Sequence, residues 1–222
     1  MLKYGSKAKI VSQLIILLFH KKTPVDLIIS NKTTMENFIF IDFEGKMKLP
    51  PSFVGILFAG EFKQIILTDT LLGCVGPTKV TYQLLKEFLQ ETLALAEKNQ
   101  TKICAFSTLE RDVFLKNGIP EIEKYYFNAH KELKKWFKVK QRDKRPRPFS
   151  LSNVLLFFEY PLVSYGDRQA TQRISAMERA LKTHKQNYAK VTPVVKGKWT
   201  KVLNYNKQDV EGMKFALERI HV

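Results

Sequence analysis

The sequence predicts an α/β domain built on a central mixed sheet of five strands, the first three antiparallel, flanked by helices. Three observations carry this. Between residues 38 and 68, three apolar runs are separated only by short turns, the pattern of consecutive antiparallel strands. From residue 78 onward, segments of helical period alternate with short apolar runs at 102–106 and 125–128, so helices are expected to pack on the sheet. The last segment, 198–220, puts Trp199, Val202, Leu203, Val210, Met213, Leu217 and Ile220 on one stripe, which reads as a closing helix with a buried face.

The elements follow in order. Residues 1–37 read as an N-terminal extension that can pack on the core, and 38–222 as the domain itself. The apolar stretch 10–19 follows Lys3, Lys7 and Lys9. It is interrupted by Ser12 and Gln13 and ends in His20-Lys21-Lys22. That is too short to span a membrane and lacks an export cleavage site, so a packed helix or strand is expected there. Strand one is 38–43. A turn containing Pro50 and Pro51 leads to strand two at 53–59, and Gly60-Glu61 leads to strand three at 62–68. A long helix is expected over 78–99, a strand over 102–106, and a helix over 109–116 that Gly118 and Pro120 stop. Residues 131–137 are expected to be helical, and the tract 131–147 as a whole an exposed, mobile loop. Ser150 caps a helix over 150–158, and 167–190 holds a polar helix with Ile174, Met177 and Leu181 on one face.

Composition narrows the function. A chain of 222 residues with 45% hydrophobic and 12% aromatic content has enough apolar material for one real core, which excludes global disorder. The formal charge of +16 attracts polyanions, nucleic acid first and anionic membrane second. Cys74 and Cys104 stand in no CxxC arrangement, which argues against a thiolate zinc site and fits the reduced thiols of a cytoplasm. Gly73-Cys-Val-Gly76 lacks the lysine of a phosphate-binding loop, and no GxSxG elbow occurs.

The chemistry is in the acids. Phe38-Ile-Phe-Ile-Asp-Phe-Glu-Gly45 runs apolar residues into Asp42 and Glu44. On a strand, positions i and i+2 face the same way, so the two carboxylates repel unless a cation sits between them. Hard oxygen ligands suit magnesium and manganese. A bare DxE is more often a pair of solvated acids, so other parts of the chain must supply further ligands. On the closing helix, Tyr205 and Asp209 stand at i and i+4, hence on one face. Asp209 is also flanked by apolar Val210 and Met213, where an acid needs a partner.

Taken together, IDFEG, AFSTLERDVF and YNKQDVEGM resemble the three motifs of the DEDDy branch of ribonuclease H-like 3′–5′ exonucleases, in the variety with a YNxxDV final motif. The lead-in WTKVLN and the upstream SLSNVLLFFEYPL are similar to that group as well, and the resemblance spans about residues 36–220. It implies a ribonuclease H-like fold and hydrolysis of phosphodiester bonds with two divalent cations, Mg2+ or Mn2+. Asp42 and Glu44 match the first-motif acids, Asp209 the third-motif acid and Tyr205 its tyrosine. The second motif departs from the usual aspartate after Asn-x-x-Phe. Glu110 is the preferred match here, with Asp112 the competitor, and Asn128 stands where many relatives carry another acid. By this reading Asp42 bridges the cations, Glu44 and Asp209 hold the ion carrying the nucleophile, and Glu110 holds the second. Tyr205 then orients the attacking water or contacts the scissile phosphate.

The implied partner is nucleic acid, single-stranded or at a 3′ end. The basic tract would grip its backbone through Lys134, Lys135, Lys138, Lys140, Arg142, Lys144, Arg145 and Arg147, with Trp136 and Phe137 stacking on bases. Arg168, Gln169 and Arg173 form a second, weaker basic patch. Two other readings stand beside this one: a catalytically inactive binding module of the same fold, which the unusual Glu110 favours, and an endonuclease variant. The sequence does not separate DNA from RNA.

Overall fold

The structure, a computed structural model, describes residues 35–46, 49–162 and 169–221. The apolar stretch 10–19, nearly all of the expected extension and Arg168 lie outside these residues. A 3-10 turn at Met35–Asn37 leads into β1 (Ile39–Gly45), followed by β2 (Pro51–Phe58) and β3 (Glu61–Ile66). A 3-10 segment, Asp69–Cys74, precedes β4 (Thr81–Tyr82). Next come α1 (Leu85–Lys98), β5 (Ile103–Ala105), α2 (Leu109–Lys116), α3 (Ile122–Tyr125) and β6 (Tyr126–Asn128). The chain continues through α4 (Ala129–Lys140), α5 (Leu151–Phe157), α6 (Ala170–Thr183) and α7 (Pro193–Ile220). No helix among the described residues is long and apolar enough to cross a membrane.

The sheet is mixed, with strand order β4-β3-β2-β1-β5-β6. β1, β2 and β3 pair antiparallel, as expected from their short turns. β5 joins the other edge of β1 in parallel, and β6 joins β5 in parallel. The expectation of five strands is corrected to six. The addition is β4, which pairs with β3 in parallel through Ile65↔Thr81 and Ile66↔Tyr82. It occupies the start of the stretch assigned to the first long helix, which begins only at Leu85. Two residues are too few to show strand alternation, and their pairing partner is remote in sequence.

Alternation along β1 decides which residues meet which layer. Ile39, Ile41 and Phe43 face the side covered by α1, α2 and α3, where they join Phe88, Leu89, Phe114 and Ile122 in one buried cluster. The ring of Phe43 meets that of Phe88 edge-on at 5.9 Å. Phe40 faces the opposite layer, packing with Leu133 and Phe137 of α4, Val154 and Leu155 of α5, and Val210 and Met213 of α7. Asp42 and Glu44 follow Phe40 on that same alternate face. A third cluster seats α6, through Ile174, Met177 and Leu181, with Trp199 and Val202 of α7 and Phe53 of β2.

Helix α7 lies close against the sheet because β2 offers it a glycine. A Cβ on Gly55 would stand 2.3 Å from Asn206 Oδ1, closer than real Cβ contacts come, and a tight 3.1 Å from Val210 Cγ2. The helix expected over 131–137 is present, whereas the mobile loop expected over 131–147 as a whole is corrected. Ala129, Leu133 and Phe137 recur every four residues and are all buried, so the basic tract is anchored as an amphipathic helix through Lys140. Asn128 caps it, its side chain accepting from the Lys131 N–H at 2.7 Å; a 3-10 turn, Arg142–Lys144, follows. The serine cap expected at Ser150 is present and starts α5.

Candidate metal centre

Three elements distant in sequence bring the acids together. The antiparallel register sets Asp42 opposite Gly55 and Glu44 opposite Phe53, which fixes both acids on the face that α7 crosses. One carboxylate oxygen from each of Asp42, Glu44 and Asp209 lies within 4.8 Å of the other two. Oδ1 of Asp209 is buried and receives no hydrogen bond. A buried acceptor left bare is costly, and a cation coordinated by these oxygens removes that cost. The donor set is oxygen only, which suits magnesium or manganese.

Glu110 reaches the same region from the first turn of α2. It is 4% exposed, and the Ser107 hydroxyl donates to its Oε2 at 2.9 Å. Parallel pairing between β1 and β5 stops at Phe40↔Cys104, which leaves the Phe43 N–H outside that ladder and facing the Glu110 carboxylate. Asp112, the competing candidate, turns to Arg111 instead, with Nη2–Oδ1 at 3.0 Å and a 40% exposed side chain. Of the two, Glu110 is the acid whose charge reaches Asp42 and Glu44.

Burial raises the protonation of every member, and like charges add to it at Asp42 and Glu44. Burial, then the charges of Glu44, Asp209 and Glu110, push the Asp42 carboxyl well above its ordinary range. Burial followed by the charges of Asp209 and Glu110 raises Glu44 to about 8. Burial raises Asp209 to about 7, against the pull of a hydrogen bond from Tyr205. Glu110 rises to about 6, chiefly by burial, moderated by backbone N–H groups and Ser107. Tyr205 is pushed above the usual phenol range, first by burial and then by Asp209, so it stays a hydroxyl; Ser152 hydrogen-bonds it.

Three side chains at this centre were not singled out in the sequence. Asn206 is fully buried; its Nδ2 donates to the Asp42 carbonyl at 2.9 Å and to Asp42 Oδ2 at 2.8 Å. Its signal was present, since it is the asparagine of the YNxxDV pattern. Gln64 on β3 and Ser152 on α5 carried none, because nothing local marks a strand glutamine or a helix serine that meets a distant segment.

The basic tract stands apart from the acids in character. Lys134, Lys135, Lys138, Lys140, Arg142, Lys144 and Arg147 are exposed. Arg145 is half-buried, with its guanidinium 5.2 Å from the Phe149 ring centre. Trp136 packs edge-on against Phe137 at 5.0 Å and at a tilt against Phe158 at 5.7 Å, and Phe137 is fully buried. The second basic patch is corrected: Arg173 is buried, its Nη2 donating to Gln169 Oε1 at 3.4 Å. No family model, curated protein or solved structure matches the chain.

Proposed function

We propose that this chain is a magnesium- or manganese-dependent nuclease of the DEDDy, ribonuclease H-like kind, hydrolysing phosphodiester bonds of DNA or RNA from 3′ ends. The observation that carries it is the convergence of Asp42, Glu44 and Asp209 within 4.8 Å, with a buried Asp209 oxygen that no donor satisfies. Asp42, Glu44 and Asp209 are the ligands in this reading, and Glu110, whose charge reaches Asp42 and Glu44, would serve a second ion. Bound divalent cations supply Lewis acidity at the phosphoryl group and lower the pKa of an attacking water.

The chain's own residues supply the rest. Tyr205, kept as a hydroxyl and held by Asp209 and Ser152, is a donor that orients and not a base that abstracts. The formal charge of +16 draws the polyanion toward a pocket that is itself acidic, and the exposed lysines of α4 hold its backbone without reading sequence. Oligonucleotides of DNA and RNA, labelled at the 5′ end and incubated with Mg2+ or Mn2+, test this reading. A descending ladder that EDTA abolishes is expected. Discrete internal fragments indicate the endonuclease variant, and strands bound but left intact in both metals indicate the inactive binding module.

A further inference from the structure

We propose that Asn206 is a positioning residue for this centre: its side-chain amide fixes the Asp42 carboxylate, tying down Oδ2 and leaving Oδ1 for a cation. The inference rests on the reading of the acids as cation ligands. It adds a specific device, built from three strands and a helix, that sets the direction of the central ligand.

A count of donors and acceptors shows that the amide has one orientation. Both Asn206 N–H groups are used by Asp42, one on the backbone carbonyl at 2.9 Å and one on Oδ2 at 2.8 Å. The amide oxygen accepts from Gln64 Nε2 at 2.9 Å, and Gln64 Nε2 also donates to the Leu203 carbonyl at 2.8 Å. A carbonyl and a carboxylate only accept, and an amide nitrogen only donates. Flipping Asn206 therefore sets oxygen against two oxygens and nitrogen against nitrogen. Because both bonds go to one residue, they hold the Asp42 side chain against its own backbone and so fix its rotation.

The surroundings admit little else. Asn206 is fully buried, and a Cβ at Gly55, directly opposite Asp42 on β2, would collide with its amide oxygen at 2.3 Å. Neutrality is also required by the chemistry. A lysine or arginine here would offer donors but would cancel the negative charge that gathers a cation. An amide holds the ligand and leaves that charge intact, as donors behind metal-binding carboxylates generally do.

The test uses the full chain and Mn2+ as probe, with affinity read by calorimetry and folding by thermal melts, without nucleic acid. Asn206→Ala is expected to weaken Mn2+ binding about 10- to 100-fold. Gln64→Met, which leaves Asn206 in place but removes the donor that orients it, shifts affinity in the same direction by a smaller factor. If Gln64 acts through Asn206, the double variant binds no more weakly than Asn206→Ala. A purely structural role lowers the melting temperature and leaves the affinity of the folded protein unchanged, which overturns the proposal. Should Asn206→Ala not fold, Gln64→Met decides alone, and wild-type affinity in that variant is equally fatal. Failure of the wild-type chain itself to bind Mn2+ removes the underlying ligand reading, a result distinct from selective insensitivity of the variants.

Discussion

The acidic centre and the basic helix are opposites in construction as well as in charge. Asp42, Glu44, Glu110 and Asp209 come from β1, α2 and α7 and are buried together; burial raises the pKa of each, and the charges of the others add to the rise at Asp42 and Glu44. Lys134, Lys135, Lys138 and Lys140 come from one helix, point into solvent, and carry no burden from burial. Folding forces like charges together in the first region and disperses them in the second. A crowded acidic centre is therefore unstable by itself and gains from a cation, whereas the basic face is neutral to stability and acts on a polyanion only at close range. Removing a charge should change stability in the first place and leave it unchanged in the second.

The largest effect is expected at Asp209. Asp209→Asn keeps the shape and removes one ligand charge, so cleavage should fall by about a thousandfold or more, near 4 kcal/mol of barrier. In EDTA the same substitution relieves repulsion and should raise the melting temperature, by about 2–4 °C for each kcal/mol gained. Glu110→Gln is expected to follow the same pattern and Asp112→Asn to be silent, since Asp112 forms an exposed pair with Arg111. Comparing melts with and without Mn2+ alongside an oligonucleotide digest checks both halves. A stabilised variant that still cleaves at the wild-type rate would break the contrast between the regions.

Next in size is a pH effect confined to the acidic centre. Glu44 has an ordinary value of 4.5 and is raised to about 8; Asp209 rises from 3.8 to about 7. Between those limits the folded chain binds more protons than the unfolded one, so stability falls as pH rises. The stabilisation is complete below about pH 4 and is lost by about pH 8. Denaturant unfolding in EDTA should therefore give a free energy that declines across this window. Saturating Mg2+ should flatten the decline, because cations favour the deprotonated acids. Glu44→Gln should remove its upper part. A profile that is flat in EDTA would mean that Glu44 and Asp209 are not held buried in solution.

How much of this was legible follows from the same contrast. The strand carrying Asp42 and Glu44, the helix carrying Tyr205 and Asp209, and the stripe from Trp199 to Leu217 were readable because each is periodic over its own length. The antiparallel start of the sheet was readable from short turns. β4 was not, since two residues hold no period and their partner Ile65–Ile66 is a dozen residues or more away. The helix over 131–137 was readable, but the tract 131–147 as a whole was read as a mobile loop because its charge outweighed the buried spacing of Ala129, Leu133 and Phe137. Arg173 was read as a surface cation, yet it sits beside Ile174 in the buried side of α6. Among the site residues the acids announced themselves by type. Gln64 and Ser152 did not, because their roles are defined only by what folding brings against them.

The smallest expected effect belongs to the basic helix, and it sharpens the comparison by leaving stability alone. Lys134, Lys135 and Lys138 are exposed, and the stripe that anchors α4 is untouched by changing them. Replacing all three by glutamine should leave the melting temperature unchanged while flattening the dependence of log affinity on log salt for a single strand by about 2, near 0.7 per lost phosphate contact. Trp136 provides the internal control. Its ring lies against Phe137 and Phe158, so Trp136→Leu should lower the melting temperature and change the salt slope little. A tryptophan that stacks on bases instead would weaken binding at every salt concentration with the fold intact. The lysines would then share the binding surface with an aromatic platform, and charge alone would no longer describe what this face contributes.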